Sequence, residues 1–412
     1  MKGERQMLLI GIDQSPKKHD ICITDKSGCQ LARGEVPHDW SGFQWIHEQC
    51  KRLGVAPQDC LVAVESAYNL LVDYLLDHGY QVYVVPGRAV NRYRDRHRQS
   101  RSRNDPGDAV VLADILRTDR HLYVALTADS PQTRQICSLV RLLSTLKRNT
   151  VRVGNQLRDL LWRYYPIAAD LFSKLDQPLT CAFIQAYPTP QLAQGLSLAE
   201  FEDFCHRHRY WHGGYIARRY GQLQNAQTFA RQEVADAYAQ QAQSLARVLL
   251  SLVQERKAAQ KTLSQVFQQH PQAPTFASLP GAGEFLAPAL LSKFRDCRAR
   301  FPTAAVAQAI AGTCPVTDQS GKRRRILFRR ACDREFRFIA TEFARCSVPE
   351  SGWAAAYFEA LRPRVDKASH AYRALANRWI AIIWRLWTDR VEYDEAIHLR
   401  NRFIHRQQRQ TP

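Results

Sequence analysis

The chain of 412 residues is long enough for two or three domains with a sizeable core. Its apolar fraction of 45% excludes a disordered chain, and a formal net charge of +19 asks for a polyanionic partner, nucleic acid ahead of an anionic membrane. No segment reaches the roughly 18 apolar residues that a membrane span needs, and eleven scattered cysteines without a CxxC pair exclude a disulfide scaffold, reading instead as core residues of a reducing cytoplasm.

Met1-Lys2-Gly3-Glu4-Arg5 leads into an apolar run that Asp13 soon breaks, so no signal peptide is expected. Leu8–Ile12 and Ile21–Thr24 read as strands, and Lys26-Ser27-Gly28 as a hairpin turn into a third strand near Cys29–Val36. A helix over Trp40–Leu53, a strand at Leu61–Glu65, a helix over Tyr68–His78 and a strand at Val82–Val85 follow, closed by Pro86-Gly87. This βββαβαβ order predicts a mixed sheet flanked by helices, the RNase H-like arrangement. Helix resumes after Pro106 and runs to Leu116.

Ile136, Leu139, Leu143, Leu146, Thr150, Val153, Leu157, Leu160 and Tyr164 are spaced alternately by three and four, a coiled-coil seam over roughly four heptads. A weaker partner runs through Val234, Tyr238, Leu245, Val248, Leu252, Ala259 and Val266, with an aromatic-rich helical segment between them. Pairing within the chain and pairing with another protomer are both open. Near Gln268–Pro274 a proline-bearing linker is expected, after which Ser278-Leu279-Pro280-Gly281-Ala282-Gly283 opens a helical domain. The predicted organisation is an α/β domain over 1–128, a helical coiled-coil region over 129–270 and a mostly helical domain over 271–412.

Asp13 ends an apolar run and Glu65 another, where an ionised carboxylate is costly unless it is paired or bound to metal. Asp105 and Asp108, three apart, fall on one face of a starting helix. Carboxylates from two strand ends and one helix suit a divalent-metal site acting on phosphates. A plainer reading stands beside it, in which strand-end acids form turns and Asp105 before Pro106 only opens a helix.

Arg88, Arg92, Arg94, Arg96, Arg98, Arg101 and Arg103 precede that helix with Tyr93 and His97 interleaved and Asp95 the one acid among them. They read as phosphate contacts, the alternative being a solvated basic face. A second basic tract follows Asp318-Gln319-Ser320-Gly321 through Lys322, Arg323, Arg324 and Arg325 to Arg329, Arg330, Arg334 and Arg337. Ser320 is either the serine of an ordinary turn or a nucleophile beside cations that would clamp a phosphate. The Pro-Gly-x-Gly turn at Gly281 and Gly283 resembles a helix-hairpin-helix turn able to hold a phosphate, or else simply begins a helix. Cys205-His206-Arg207-His208 with His212 lacks a second cysteine pair, so zinc is not expected there.

Gly11-Ile12-Asp13, Val64-Glu65-Ser66, Arg103-Asn104-Asp105-Pro106-Gly107-Asp108-Ala109, Ser278 to Gly283, Ala311-Gly312-Thr313-Cys314-Pro315 and Gln319-Ser320-Gly321-Lys322 occur in the order seen in the IS-one-ten family of insertion-sequence recombinases, the DEDD transposases. The chain resembles that family over nearly its whole length. The resemblance implies a RuvC-like N-terminal domain in which Asp13, Glu65, Asp105 and Asp108 bind magnesium or manganese. It implies that Ser320 attacks DNA, that a structured noncoding guide RNA (the bridge RNA) pairs with donor and target DNA, and that dimers or tetramers form without a membrane. One departure is Phe328-Arg329-Arg330-Ala331-Cys332-Asp333, where the family commonly has a Lys-x-Gly-Asn type of segment. The expected protein is a cytoplasmic, nucleoid-associated recombinase. Two other readings are a RuvC-like nuclease using metal-activated water and a non-catalytic nucleic-acid-binding scaffold.

Overall fold

The computed structural model describes residues 6–67, 69–97, 105–227, 230–321, 323–397 and 400, with the side chains of residues 96, 97, 105 and 106 outside the description. The chain divides into two compact units, residues 1–130 with 294–307, and residues 131–293 with 308–412.

The first unit is built on a five-stranded sheet in the order β3-β2-β1-β4-β5, from β1 (Leu8–Gln14), β2 (Lys18–Thr24), β3 (Gln30–Pro37), β4 (Cys60–Val64) and β5 (Gln81–Val84). The first three strands are antiparallel neighbours, whereas β4 runs parallel to both β1 and β5. Helices α1 (Trp40–Arg52) and α2 (Leu70–Asp77) make the crossovers, and α3 (Gly87–His97) and α4 (Asp105–Asp119) follow. This is the mixed α/β sheet that the order of apolar runs predicts.

Alternation of side chains sorts β1 and β4 onto two faces. Leu8, Ile10 and Ile12 with Cys60, Val62 and Val64 pack against Phe43 and Ile46 of α1 and Leu71 and Leu75 of α2. Leu9, Leu61 and Ala63 face the other way, onto Val90 and Tyr93 of α3 and Leu112, Ile115 and Leu116 of α4. Burial on both faces is why these strands read as continuous apolar runs rather than alternating ones. Tyr93, read in the sequence as interleaved with phosphate-binding arginines, is instead a core residue whose hydroxyl donates to Asp114 Oδ2 at 2.6 Å.

In the second unit, α5 (Pro131–Tyr164) packs along the helix Gln232–Gln268. The two run antiparallel, because Tyr164 lies beside Tyr238 at 6.0 Å between ring centroids while Thr133 Oγ1 and His270 Nε2 share a hydrogen bond of 2.8 Å. The pairing left open by the sequence is therefore within the chain. On α5 most of the expected seam is buried, with Leu139 and Leu146 half-buried. The partner's phase needs correction. Val234 and Val248 are exposed, and Ala235, Ala239, Ala242, Ala246 and Leu249 turn inward. Alanines let two helix backbones approach closely, and their small apolar contrast hides such a stripe from hydropathy.

A second correction concerns Gln268–Pro274, which is packed rather than a free linker. His270 and Ala273 are buried, and Pro274 lies in the first turn of the short helix Ala273–Ala277. Further on, the helix Arg334–Ser347 packs on the helix Ala368–Asp389, where Trp379 Nε1 donates to Ser347 Oγ at 2.8 Å. A separate antiparallel hairpin is formed by β6 (Val316–Ser320) and β7 (Arg323–Leu327).

Candidate active site

The register of β1 and β4 runs from Leu8 opposite Cys60 to Ile12 opposite Val64. Asp13 and Glu65 are the next residues on each chain, at the carboxyl ends of adjacent parallel strands. By parity both belong to the face that α3 and α4 cover. Gly11 sets how near α4 comes, because a Cβ there would lie 1.9 Å from the Ala109 carbonyl oxygen and 2.5 Å from the Ala113 nitrogen. Only a glycine admits that crossing, and it brings the first turn of α4, with Asp108, to the ends of the two strands.

Glu65 is held from two directions. Gln14 Oε1 accepts from the Ser66 N–H at 3.0 Å, tying the end of β1 to the turn after β4. Gly87, at the start of α3, leaves room for the carboxylate, since a Cβ there would stand 3.1 Å from Glu65 Oε2. The carboxylate thus lies over a helix N-terminus, which favours negative charge. Even so, burial and the nearby Asp108 push the Glu65 carboxyl up from the usual carboxylate range, against the opposing pull of Arg94. Arg94 Nη2 donates to Asp108 Oδ1, and both side chains are largely enclosed, 11% and 23% exposed.

Oxygen-only donors whose charges repel one another fit a hard divalent cation. Glu65 and Asp108 are close enough to perturb each other, and Asp13 follows in register. The side chain of Asp105 lies outside the described residues, and among the described ones no three His, Cys, Asp or Glu side chains close into a metal-holding group. The position of Asp105 at the start of α4 agrees with a helix opening there.

The basic residues separate into distinct environments. Arg88 and Arg92 are exposed on α3, Arg94 is turned inward to Asp108, and the Arg96 side chain with Arg98, Arg101 and Arg103 lies outside the described residues. Ser320 is exposed at the end of β6, before Gly321 with φ of +56°, a conformation that favours glycine. Directly across the hairpin stands Arg323, with Arg324 and Arg325 opposite Gln319 and Asp318, and all three arginines are exposed. Lys322 lies outside the described residues. Arg329 Nε donates to the Cys314 carbonyl at 3.3 Å, and Arg330 is exposed.

The root of the hairpin carries a feature that the sequence reading missed. The guanidinium groups of Arg337 and Arg373 lie over the Phe328 ring, 4.6 and 4.7 Å from its centroid. Arg337 belongs to the basic tract read in the sequence, but Arg373 comes from a distant helix, and no short-range signal brings it to the exposed Phe328. Gly281 is accounted for by packing, since a Cβ there would lie 2.2 Å from the Cys346 carbonyl oxygen, whereas Gly283 is exposed with open space around it.

A mixed α/β sheet presenting carboxylates at two parallel strand ends and a helix start is a domain of the DEDD, RNase H-like class. Comparison with known proteins agrees. The model of a DEDD family described as Transposase matches residues 10–166, and that described as Transposase IS116/IS110/IS902 family matches residues 273–359. A mini-circle protein for IS117 from Streptomyces coelicolor, named as a transposase, is 30% identical over 397 residues, which is 93% of this chain and 95% of the relative. The 44.8 kDa protein of insertion element IS116 from Streptomyces clavuligerus is 24% identical over 412 residues, 95% of this chain and 97% of that protein. The chain belongs to the IS110 family of insertion-sequence transposases, enzymes that cleave and join DNA. No helix among the described residues is long and apolar enough to cross a membrane.

Proposed function

We propose that the protein is a site-specific recombinase that excises and integrates its own insertion sequence through a covalent serine–DNA intermediate, guided by a structured noncoding bridge RNA. The observation that carries the acidic half of this reading is the parallel register of β1 and β4, on which Asp13 and Glu65 follow as neighbours on the side covered by α4. A magnesium or manganese ion held by Asp13, Glu65, Asp105 and Asp108 would supply neutralisation of charge on the scissile phosphate. The serine half rests on the exposure of Ser320 at a hairpin end faced by Arg323.

In the reaction, Ser320 Oγ gives up its proton and attacks phosphorus. The bond from phosphorus to one deoxyribose oxygen breaks, and that oxygen takes up a proton. The phosphodiester to serine conserves the bond for rejoining to a different end. The exposed arginines of β7, with Lys322, hold the phosphate against the approaching oxygen, while Arg88 and Arg92, with Arg96, Arg98, Arg101 and Arg103, track the nucleic-acid backbone. Assembly as a dimer or tetramer, donor and target DNA as substrates, and a cytoplasmic, nucleoid-associated location belong to the same reading.

The test is to incubate the purified full chain with guide RNA, donor and target DNA and magnesium, then separate protein-linked DNA on a denaturing gel. Ser320→Ala is expected to abolish the adduct and recombination together. Asp108→Asn is expected to abolish cleavage while nucleic-acid binding stays near its original strength. An adduct that persists in Ser320→Ala rejects the serine, and free nicked ends without any adduct would point to a water-using nuclease.

A further inference from the structure

We infer that Arg94 is a built-in competitor of the divalent cation, its guanidinium pairing with Asp108 and yielding that carboxylate when metal binds. This rests on the acidic-site reading above and adds to it a role for a residue outside the quartet. Arg94 comes from α3, not from the acidic motifs, yet its guanidinium donates to Asp108 and offsets the charge of Glu65. Positive charge beside two repelling carboxylates is what the site asks for, and the Arg94 guanidinium supplies some of it. The enclosure of both side chains makes the pair matter, because screening by solvent is weak there. Arginine is always charged, so it cannot vacate the site by losing its proton.

The arginine also has somewhere to go. A cavity of ≈ 290 Å³ lies against α3 and α4, lined by Thr24, Tyr93, Arg94, Val110 and Asp114. Its acidic wall is Asp114, which Tyr93 and Arg117 already hold in place through hydrogen bonds of 2.6 Å each. Arg94 already borders that cavity and Asp114 lies on its wall, so a guanidinium leaving Asp108 has an opposite charge to turn toward. The expected consequence is a raised metal requirement and a protein that holds its acidic site together before metal arrives.

The experiment is manganese binding to the full chain, read by the loss of the free-ion electron paramagnetic resonance signal, with Asp108→Asn defining the non-specific background. Arg94→Gln is expected to bind manganese about tenfold more tightly than the unaltered protein, the worth of one charge-assisted hydrogen bond lost to the competitor. In chelator its melting temperature should fall, and manganese should restore it. Equal or weaker binding by Arg94→Gln overturns the competitor role while leaving the acidic site intact. Binding by neither protein above the background sinks the acidic-site reading, and this inference with it. Should Arg94→Gln fail to fold, Arg94→Met, which keeps the apolar stem without the charge, decides: tighter binding supports competition, and unchanged affinity rejects it.

Discussion

His19 shows how one residue can set the pH range of the first unit. It is fully buried in β2, its Nε2 shares a hydrogen bond of 2.7 Å with His38 Nδ1, and Phe43 packs near both rings. Burial, with the neighbouring His38, holds its pKa down to about 4. The unfolded chain takes up this proton near pH 6.5, so the folded state is fully favoured above that value. Stability is then lost as pH falls from about 6.5 toward 4, by roughly 3 kcal/mol for the full shift. Denaturant midpoints measured across that range should decline in the unaltered protein, and His19→Leu should flatten the decline. A slope that survives the substitution would assign it to other groups. Gly11 makes a related point about legibility. Its place before Asp13 could be read from the sequence, but its reason is a backbone crossing 98 positions away, at Ala109, which no local pattern encodes.

At the level of elements, what the sequence reveals depends on contrast. Strands β1 and β4 are apolar on both faces and stand out, as do the turn at Gly28 and the large residues of α5. Helix α3 offers no apolar stripe to read, because among its residues of described burial only Val90 and Tyr93 are buried. Asp13 and Glu65 stand out at the ends of apolar runs, whereas the inward turn of Arg94 does not, since a paired and a solvated arginine look alike in sequence. The alanine face of the helix Gln232–Gln268 failed for the opposite reason, with too little hydropathy to mark it. Its packing makes a direct prediction. Ala242→Leu forces a larger side chain into the closely packed seam and should destabilise the protein by about 1–3 kcal/mol. Val248→Ala, at a position the hydropathy pattern favours but which is 49% exposed, should stay within about 0.5 kcal/mol. Comparable losses in chemical denaturation would return the seam to the valine phase.

For the molecule as a whole, a net charge of +19 guarantees attraction to any polyanion but does not say where the polyanion lies. The salt dependence of binding separates the two, because counterion release counts phosphates touched and not total charge. Hairpin β6–β7 is exposed along nearly its whole length, and a bare two-stranded hairpin is marginally stable alone, so its arginines have little folding role to explain them. Under the proposed function they are phosphate contacts beside Ser320. Replacing Arg323, Arg324 and Arg325 together by alanine is expected to lower the slope of log affinity against log salt by roughly 2–3, near one per lost phosphate contact. Fluorescence anisotropy with a labelled duplex between low and moderate salt measures that slope. The melting temperature should change little, because none of the three side chains is buried. An unchanged slope would place the DNA elsewhere on the basic surface and count against the proposed role of Ser320.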